Sequence, residues 1–196
     1  AFSLGLKLET IRQGLRTFDT SFFQAPGRTN VYNEHPFKVI LDYGHNAHAV
    51  EAMTQLAQRL DVTGRRIVVV AGPGDRRDED IREIARTVAG RFDHYICRRD
   101  DSLRGRDGDE VPRMIAETLR ASGVPDAQIQ EIPEEQAAVD AALRMGRAGD
   151  LLLVFGDEIV RSWKQIIHFH ADGALRPVTA EHAIPVPAAH TANWIA

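Results

Sequence analysis

Leu4, Leu8, Ile11, Leu15 and Phe18 fall three and four residues apart, the spacing that draws one apolar stripe along a helix. The stripe predicts an amphipathic helix from Leu4 to Phe18 that either packs against a neighbour or connects two domains. After the Pro26-Gly27 break the period changes. Phe37–Tyr43 reads as a short β-rich run ending in polar residues, and a helical pattern follows from about Asn46 to Leu60. Ile67–Ala71 is an unbroken apolar run rich in β-branched residues, as expected of a strand covered on both faces. Gly72-Pro73-Gly74 then turns the chain, and Asp78, Glu79 and Asp80 open the next helix, where the helix dipole favours acids.

The alternation continues with a strand around His94–Cys97, a helix over Glu110–Ala121, a strand around Gln128–Ile132 and a helix from about Glu134 to Met145. Leu151–Phe155 reads as the last buried strand and Glu158–Phe169 as the last helix. Strands alternating with helices of this length imply parallel crossover units, hence an α/β domain of three layers with a mostly parallel, Rossmann-like sheet and helices on both faces. The expected organisation is a connector helix over residues 1–24, the α/β domain over 25–170, and an extended or mobile tail over 171–196, where Pro177, Pro185 and Pro187 interrupt any period and Trp194 could pin the end.

Composition narrows the function classes. The 196 residues, 43% hydrophobic and 27% charged, suit one globular core. A net charge of -4 with basic and acidic residues interleaved gives no reason to expect nucleic acid or an anionic membrane as partner. No stretch approaches the ~20 apolar residues of a membrane helix, the start lacks a signal-peptide pattern, and the lone Cys97 sits in an apolar run; the expectation is a cytoplasmic protein.

Three polar clusters follow predicted strands, where open parallel sheets bind ligands. Asp42-Tyr43-Gly44-His45-Asn46 could hold a ribose hydroxyl, a phosphate or a catalytic water, although Asp42 or Asn46 could equally cap the next helix. Gly72-Pro73-Gly74-Asp75-Arg76-Arg77 lets a ligand approach the backbone but lacks Gly-Lys-Ser/Thr, and the three acids after it would repel a triphosphate. Asp75 and Arg76 suit a zwitterion instead, unless they merely neutralise each other. Phe155-Gly156-Asp157 is the third cluster, with Asp157 as a helix cap the simpler reading. The charge-dense run Arg98-Arg99-Asp100-Asp101 to Arg104-Gly105-Arg106 is read as a loop that is either solvated or in contact with substrate. No metal site is expected: His168 and His170 lie two apart, and no His-Glu-x-x-His or paired Cys pattern occurs.

Taken in order, these clusters resemble the third domain of the Mur ligase superfamily. Ala25-Pro26-Gly27-Arg28 is similar to its Gly-Arg motif at the domain entry, and Asp42-Tyr43-Gly44-His45-Asn46 to its Asp-Tyr-Ala-His-Asn-Pro signature, with Gly44 and Ala47 in place of the usual alanine and proline. The runs Pro73 to Ile81, Asp100 to Arg106, and Phe155-Gly156-Asp157 through Arg161-Ser162-Trp163-Lys164-Gln165-Ile166 resemble the cyanophycin synthetase branch. The resemblance covers about Leu4 to Phe169.

The resemblance implies the C-terminal domain of an ATP-dependent amide-bond-forming ligase. ATP and Mg²⁺ would be held mainly by a central ATPase domain of the same polypeptide, without which this chain is inactive. Arg28 and Asp42 would contact the nucleotide, His45 and Asn46 would lie near the reacting groups, and Asp75, Arg76 and Asp157 would position the incoming amino acid, arginine or aspartate. Enzymes of this branch assemble as homo-oligomers, though an isolated terminal domain need not. The alternative is a stand-alone module that binds nucleotide or amino acid without catalysis, which the loss of the proline after Asn46 favours.

Overall fold

A computed structural model describes residues 2–170; the predicted tail lies outside the described residues. After a single 3-10 turn at Phe2–Leu4, the helices are α1 (Leu8–Thr17), α2 (Ala47–Arg59), α3 (Asp78–Val88), α4 (Glu110–Ala121), α5 (Glu135–Met145) and α6 (Ile159–His168). The strands are β1 (Asn30–Tyr32), β2 (Lys38–Asp42), β3 (Arg66–Gly72), β4 (His94–Arg99), β5 (Ile129–Glu131) and β6 (Leu151–Phe155). They form one sheet in the order β1-β2-β6-β3-β4-β5, parallel throughout except for β1, which runs antiparallel to β2.

The period-2 alternation of the buried strands divides the interior into two cores. Ile40, Val68, Val70, Tyr95, Cys97, Leu151, Leu153 and Phe155 face α2, α3 and α4, whereas Val39, Leu41, Ile67, Val69, Ile96, Leu152 and Val154 face α5 and α6. Both faces of β3 and β6 are therefore apolar, as the unbroken runs in the sequence require. Burial drives the Cys97 thiol far above its usual range, so it packs as a small apolar group.

The chain advances from β2 to β3, β4 and β5 with α2, α3 and α4 on one face, then returns by α5 across the other face to insert β6 between β2 and β3. Right-handed crossovers require this change of face when the direction reverses. The reversal brings the carboxyl ends of β2, β6, β3 and β4 side by side at one edge, the position where such sheets bind ligands.

Two departures from the sequence reading occur outside the main sheet pattern. β1 has only three residues and was not anticipated. The predicted first helix is shorter than its apolar stripe, and α1 buries none of its residues, leaving Leu4, Leu8, Leu15 and Phe18 exposed.

Candidate functional site

The side chain of Asn30 builds the entry to the site. It is fully buried; its oxygen accepts from Gly27 N at 2.6 Å, and its NH2 donates to Thr20 O at 2.8 Å and Ala25 O at 2.9 Å. The turn so fixed carries Arg28 and is fastened to the end of β2. Tyr43 N donates to Gly27 O at 2.9 Å, and Thr29 N donates to Asp42 Oδ2 at 2.8 Å. The other Asp42 oxygen accepts from Gly44 N at 2.8 Å. Asp42 is buried and both its oxygens serve backbone amides, so it shapes two loops at once. Exposed Arg28 lies with its guanidinium carbon 5.8 Å from the Tyr43 ring centroid, within cation–π range.

His45 and Asn46 follow. His45 Nδ1 lies 3.1 Å from Tyr43 O; a carbonyl only accepts, so Nδ1 carries a proton, and in the neutral ring Nε2 is the acceptor. Asn46 is the N-cap of α2, its oxygen accepting from Ala49 N at 3.0 Å. Of the two capping candidates, Asn46 takes that role and Asp42 does not.

A cleft of about 100 Å³ opens beside these residues, over the carboxyl ends of the four central strands. Its walls include Tyr43 and His45 after β2, Arg76 after β3, Arg98, Asp100 and Arg104 from β4 and the loop beyond it, and Asp157 after β6. Guanidinium groups and carboxylates thus share one small space. A larger depression of about 240 Å³ lies at the opposite edge, by the amino ends of β2, β3 and β6. Its buried carboxylate, Asp150, accepts from the Arg65 backbone and side chain, both at 2.7 Å, and from Arg147 N at 3.1 Å. That depression is a structural seam.

Asp75 and Arg76 do not neutralise each other. Asp75 pairs with Arg104 at 2.8 Å, a contact that holds its carboxyl below the usual range, whereas Arg76 lines the cleft and enters no ion pair among the described residues. The loops after β3 and β4 touch closely enough that a Cβ at Gly74 would sit 2.3 Å from Leu103 O. Arg106 staples them, donating to Gly74 O at 2.9 Å and Arg76 O at 2.7 Å and pairing with Asp78 at 2.8 Å.

The run Arg98 to Arg106 is not one solvated loop. Arg98 and Arg99 end β4, and Arg98 is 1% exposed. Its neighbour Asp100 is 8% exposed, and its carboxyl is pushed up to about 6, chiefly by burial, with Asp157 and Glu135 adding to the rise and Arg98 and Arg104 opposing it. Nor does Asp157 cap α6. The capping residue is Glu158, which makes no side-chain cap bond; Glu135 of α5 instead accepts from Asp157 N at 2.8 Å and Glu158 N at 3.2 Å. Arg98, Asp100 and Arg104 belong to the charge-dense run whose contact with substrate the sequence left open, and Glu135, which stands behind the cleft wall, was not singled out by any sequence pattern. The one available signal was a double arginine ending a buried apolar strand, where a charge requires a partner.

The glycine at position 44 is tightly enclosed. A Cβ there would lie 2.9 Å from Phe155 Cε1 and 3.2 Å from Asp42 Oδ1, so an alanine requires a displaced Phe155 ring.

Comparison with known proteins agrees with this architecture. Cyanophycin synthetase of Geminocystis herdmanii is 35% identical over 170 residues, 87% of this chain but 19% of that protein. The enzyme of the same name from Trichormus variabilis is 38% identical over 170 residues, covering 85% and 18%. The chain thus spans less than a fifth of these relatives. Among solved structures, E. coli FolC in complex with DHPP and ADP superposes with a TM-score of 0.62 at 24% identity, over 83% of this chain and 34% of that one. The sheet order, the cleft at its carboxyl edge and the motifs that build it coincide with a match to the family described as "Mur ligase, glutamate ligase domain" over residues 27–157, and this chain belongs to that family.

Proposed function

We propose that the chain is the C-terminal domain of an ATP-dependent ligase of the cyanophycin synthetase kind, which completes a nucleotide site and positions the incoming amino acid. The observation that carries this reading is the cleft: Arg76, Arg98 and Arg104 with Asp100 and Asp157 around about 100 Å³. A free amino acid is zwitterionic, so its carboxylate needs a guanidinium and its amine a carboxylate. Arginine as substrate adds a second cation, for which a second carboxylate is available.

The donor set fits one wall of an ATP site. Arg28 is a cation that enters no ion pair among the described residues, but there is no Gly-Lys-Ser/Thr loop in the sequence, and among the described residues no group of three His, Cys, Asp or Glu side chains could hold a metal ion. ATP would activate a substrate carboxylate by phosphorylation, with Mg²⁺ and most of the triphosphate held by a central domain. In that arrangement Arg28 faces the nucleotide across Tyr43, and Asp42 holds both flanking loops. His45 Nε2 accepts the proton lost by the attacking amine, and the Asn46 NH2 donates to a ligand oxygen. Arg76 orients the amino-acid carboxylate and Asp157 its cationic end, with the Asp75–Arg104 pair at the rim. Closure of the two domains would exclude water from the reacting groups.

The test is Mg-ATP turnover with an aspartate-containing primer and free arginine, with the chain alone and joined to its ATP-holding domain. Arginine-dependent turnover in the joined form alone is expected. Turnover by the isolated chain would overturn the division of labour, and nucleotide binding without turnover in the joined form would favour a binding module.

A further inference from the structure

Glu135 opens α5, which packs across β3 and β4 on one face of the sheet, and it sits at the hub of the cleft wall. Its side chain is wholly buried and pairs with Arg98 Nη1 at 3.0 Å. Besides the amides of Asp157 and Glu158, its carboxylate accepts from the Ser162 hydroxyl of α6 and lies 3.6 Å from Arg161 Nη2. Arg161 in turn pairs with Asp101, in the loop after β4.

Arg98 completes the arrangement. Its Nε and Nη2 donate to Phe155 O at 3.2 Å and 2.6 Å, and Nη1 donates to Arg99 O at 2.7 Å. Three of its five N–H groups therefore have protein acceptors, and Nη1 is also held by the charge of Glu135. A guanidinium so occupied is a poor substrate ligand, although it forms part of the cleft lining. The turn after β6 is gripped from two sides, its Phe155 carbonyl by Arg98 and its Asp157 amide by Glu135.

We propose that Glu135 and Arg98 are positioning residues: a buried ion pair that sets where the Asp157 carboxylate stands in the cleft, and so governs affinity for the incoming amino acid rather than for nucleotide. The reasoning is geometric. Asp157 is the cleft residue whose own backbone amide the pair holds, while the Arg28 turn, the Asp42 carboxylate and the Tyr43 amide are held by bonds around Asn30 and Thr29, with Gly156 N donating to Asp42 O at 2.9 Å as the ladder bond that joins the two walls. Loosening the pair moves one wall and leaves the other in place. This inference rests on the ligase reading for its kinetic consequence.

Two variants test it. Glu135→Gln keeps the length of the side chain but has one oxygen where two backbone amides were served, so Asp157 or Glu158 loses its acceptor. The double variant Arg98→Gln with Glu135→Gln removes both charges of the pair, so neither partner is stranded by loss of the other, and Asp100, which lies 3.7 Å from Arg98, keeps Arg104 as its remaining cation. In the enzyme joined to its ATP-holding domain, both should raise KM for the amino acid about tenfold or more, with KM for ATP within about twofold; Glu135→Asp, which keeps the charge and both oxygens, should recover part of the loss. Equal changes in the two KM values, or none, would overturn the assignment. Amide exchange in the isolated chain separates this failure from failure of the ligase reading. Faster exchange at Asp157 or Glu158 in Glu135→Gln is expected whatever the reaction, and unchanged protection at both would refute the clamp by itself.

Discussion

Asp100→Asn should make the domain more stable at neutral pH and leave it unchanged in acid. In the fold the Asp100 carboxyl titrates at about 6 instead of 3.8, first because it is buried. At ~1.4 kcal/mol per unit, keeping it ionised costs the folded state about 3 kcal/mol well above pH 6. The sign follows from proton binding: between pH ~4 and ~6 the folded form retains a proton that the unfolded chain releases, so the contribution to stability falls as pH rises through that window. Asparagine imitates the protonated acid in shape and charge. Urea unfolding at pH 4 should therefore give similar free energies for both proteins, and at pH 8 the variant should lead by about 2–3 kcal/mol. Coincident curves at pH 8, or a variant less stable there, would show that Arg98 and Arg104 compensate the charge and that the reasoning is wrong. A residue that weakens the fold while lining a cleft is the pattern expected where function sets the choice. The same substitution should then weaken binding of a cationic amino acid in the joined enzyme.

Gly44→Ala should cost about 1–3 kcal/mol in chemical denaturation, because its Cβ meets the buried Phe155 ring at 2.9 Å; a neutral result would mean that ring moves freely. Asp150→Ala should cost about 2–4 kcal/mol by stranding the Arg65 and Arg147 amides and the Arg65 guanidinium. Burial of Asp150 opposes its ionised form, but the bonds from Arg65 and Arg147 outweigh that and hold its carboxyl low, so its contribution is present above the unfolded pKa and fades as pH falls through the lower folded value, as an acid titration of stability would register. Arg28→Ala should raise KM for ATP about tenfold in the joined enzyme, at the scale of a lost charge-assisted contact, without moving the unfolding midpoint, since Arg28 is exposed and enters no ion pair among the described residues; an unchanged KM would remove it from the nucleotide side.

The alternation of apolar runs with 3.6-period stripes was enough to establish the layers, because a strand buried on both faces must be apolar at every position, as Ile67–Ala71 and Leu151–Phe155 are. Element boundaries followed closely where the apolar period is strong: α4 begins and ends at Glu110 and Ala121, as its pattern indicates. The edge that carries the cleft was legible too, since polar clusters directly follow the strands. β1 was not, because its three residues carry no period and are held by pairing to β2 and by the side chain of Asn30. Only the tertiary structure decided which charges meet. Asp75 turns to Arg104, 29 positions away, rather than to adjacent Arg76, and Arg98 comes closer to Glu135, 37 positions along the chain, at 3.0 Å than to nearby Asp100 at 3.7 Å. Sequence records local period and local capping, whereas an ion pair across a sheet depends on strand order, and the insertion of β6 between β2 and β3 is fixed by crossover handedness and packing of the whole domain.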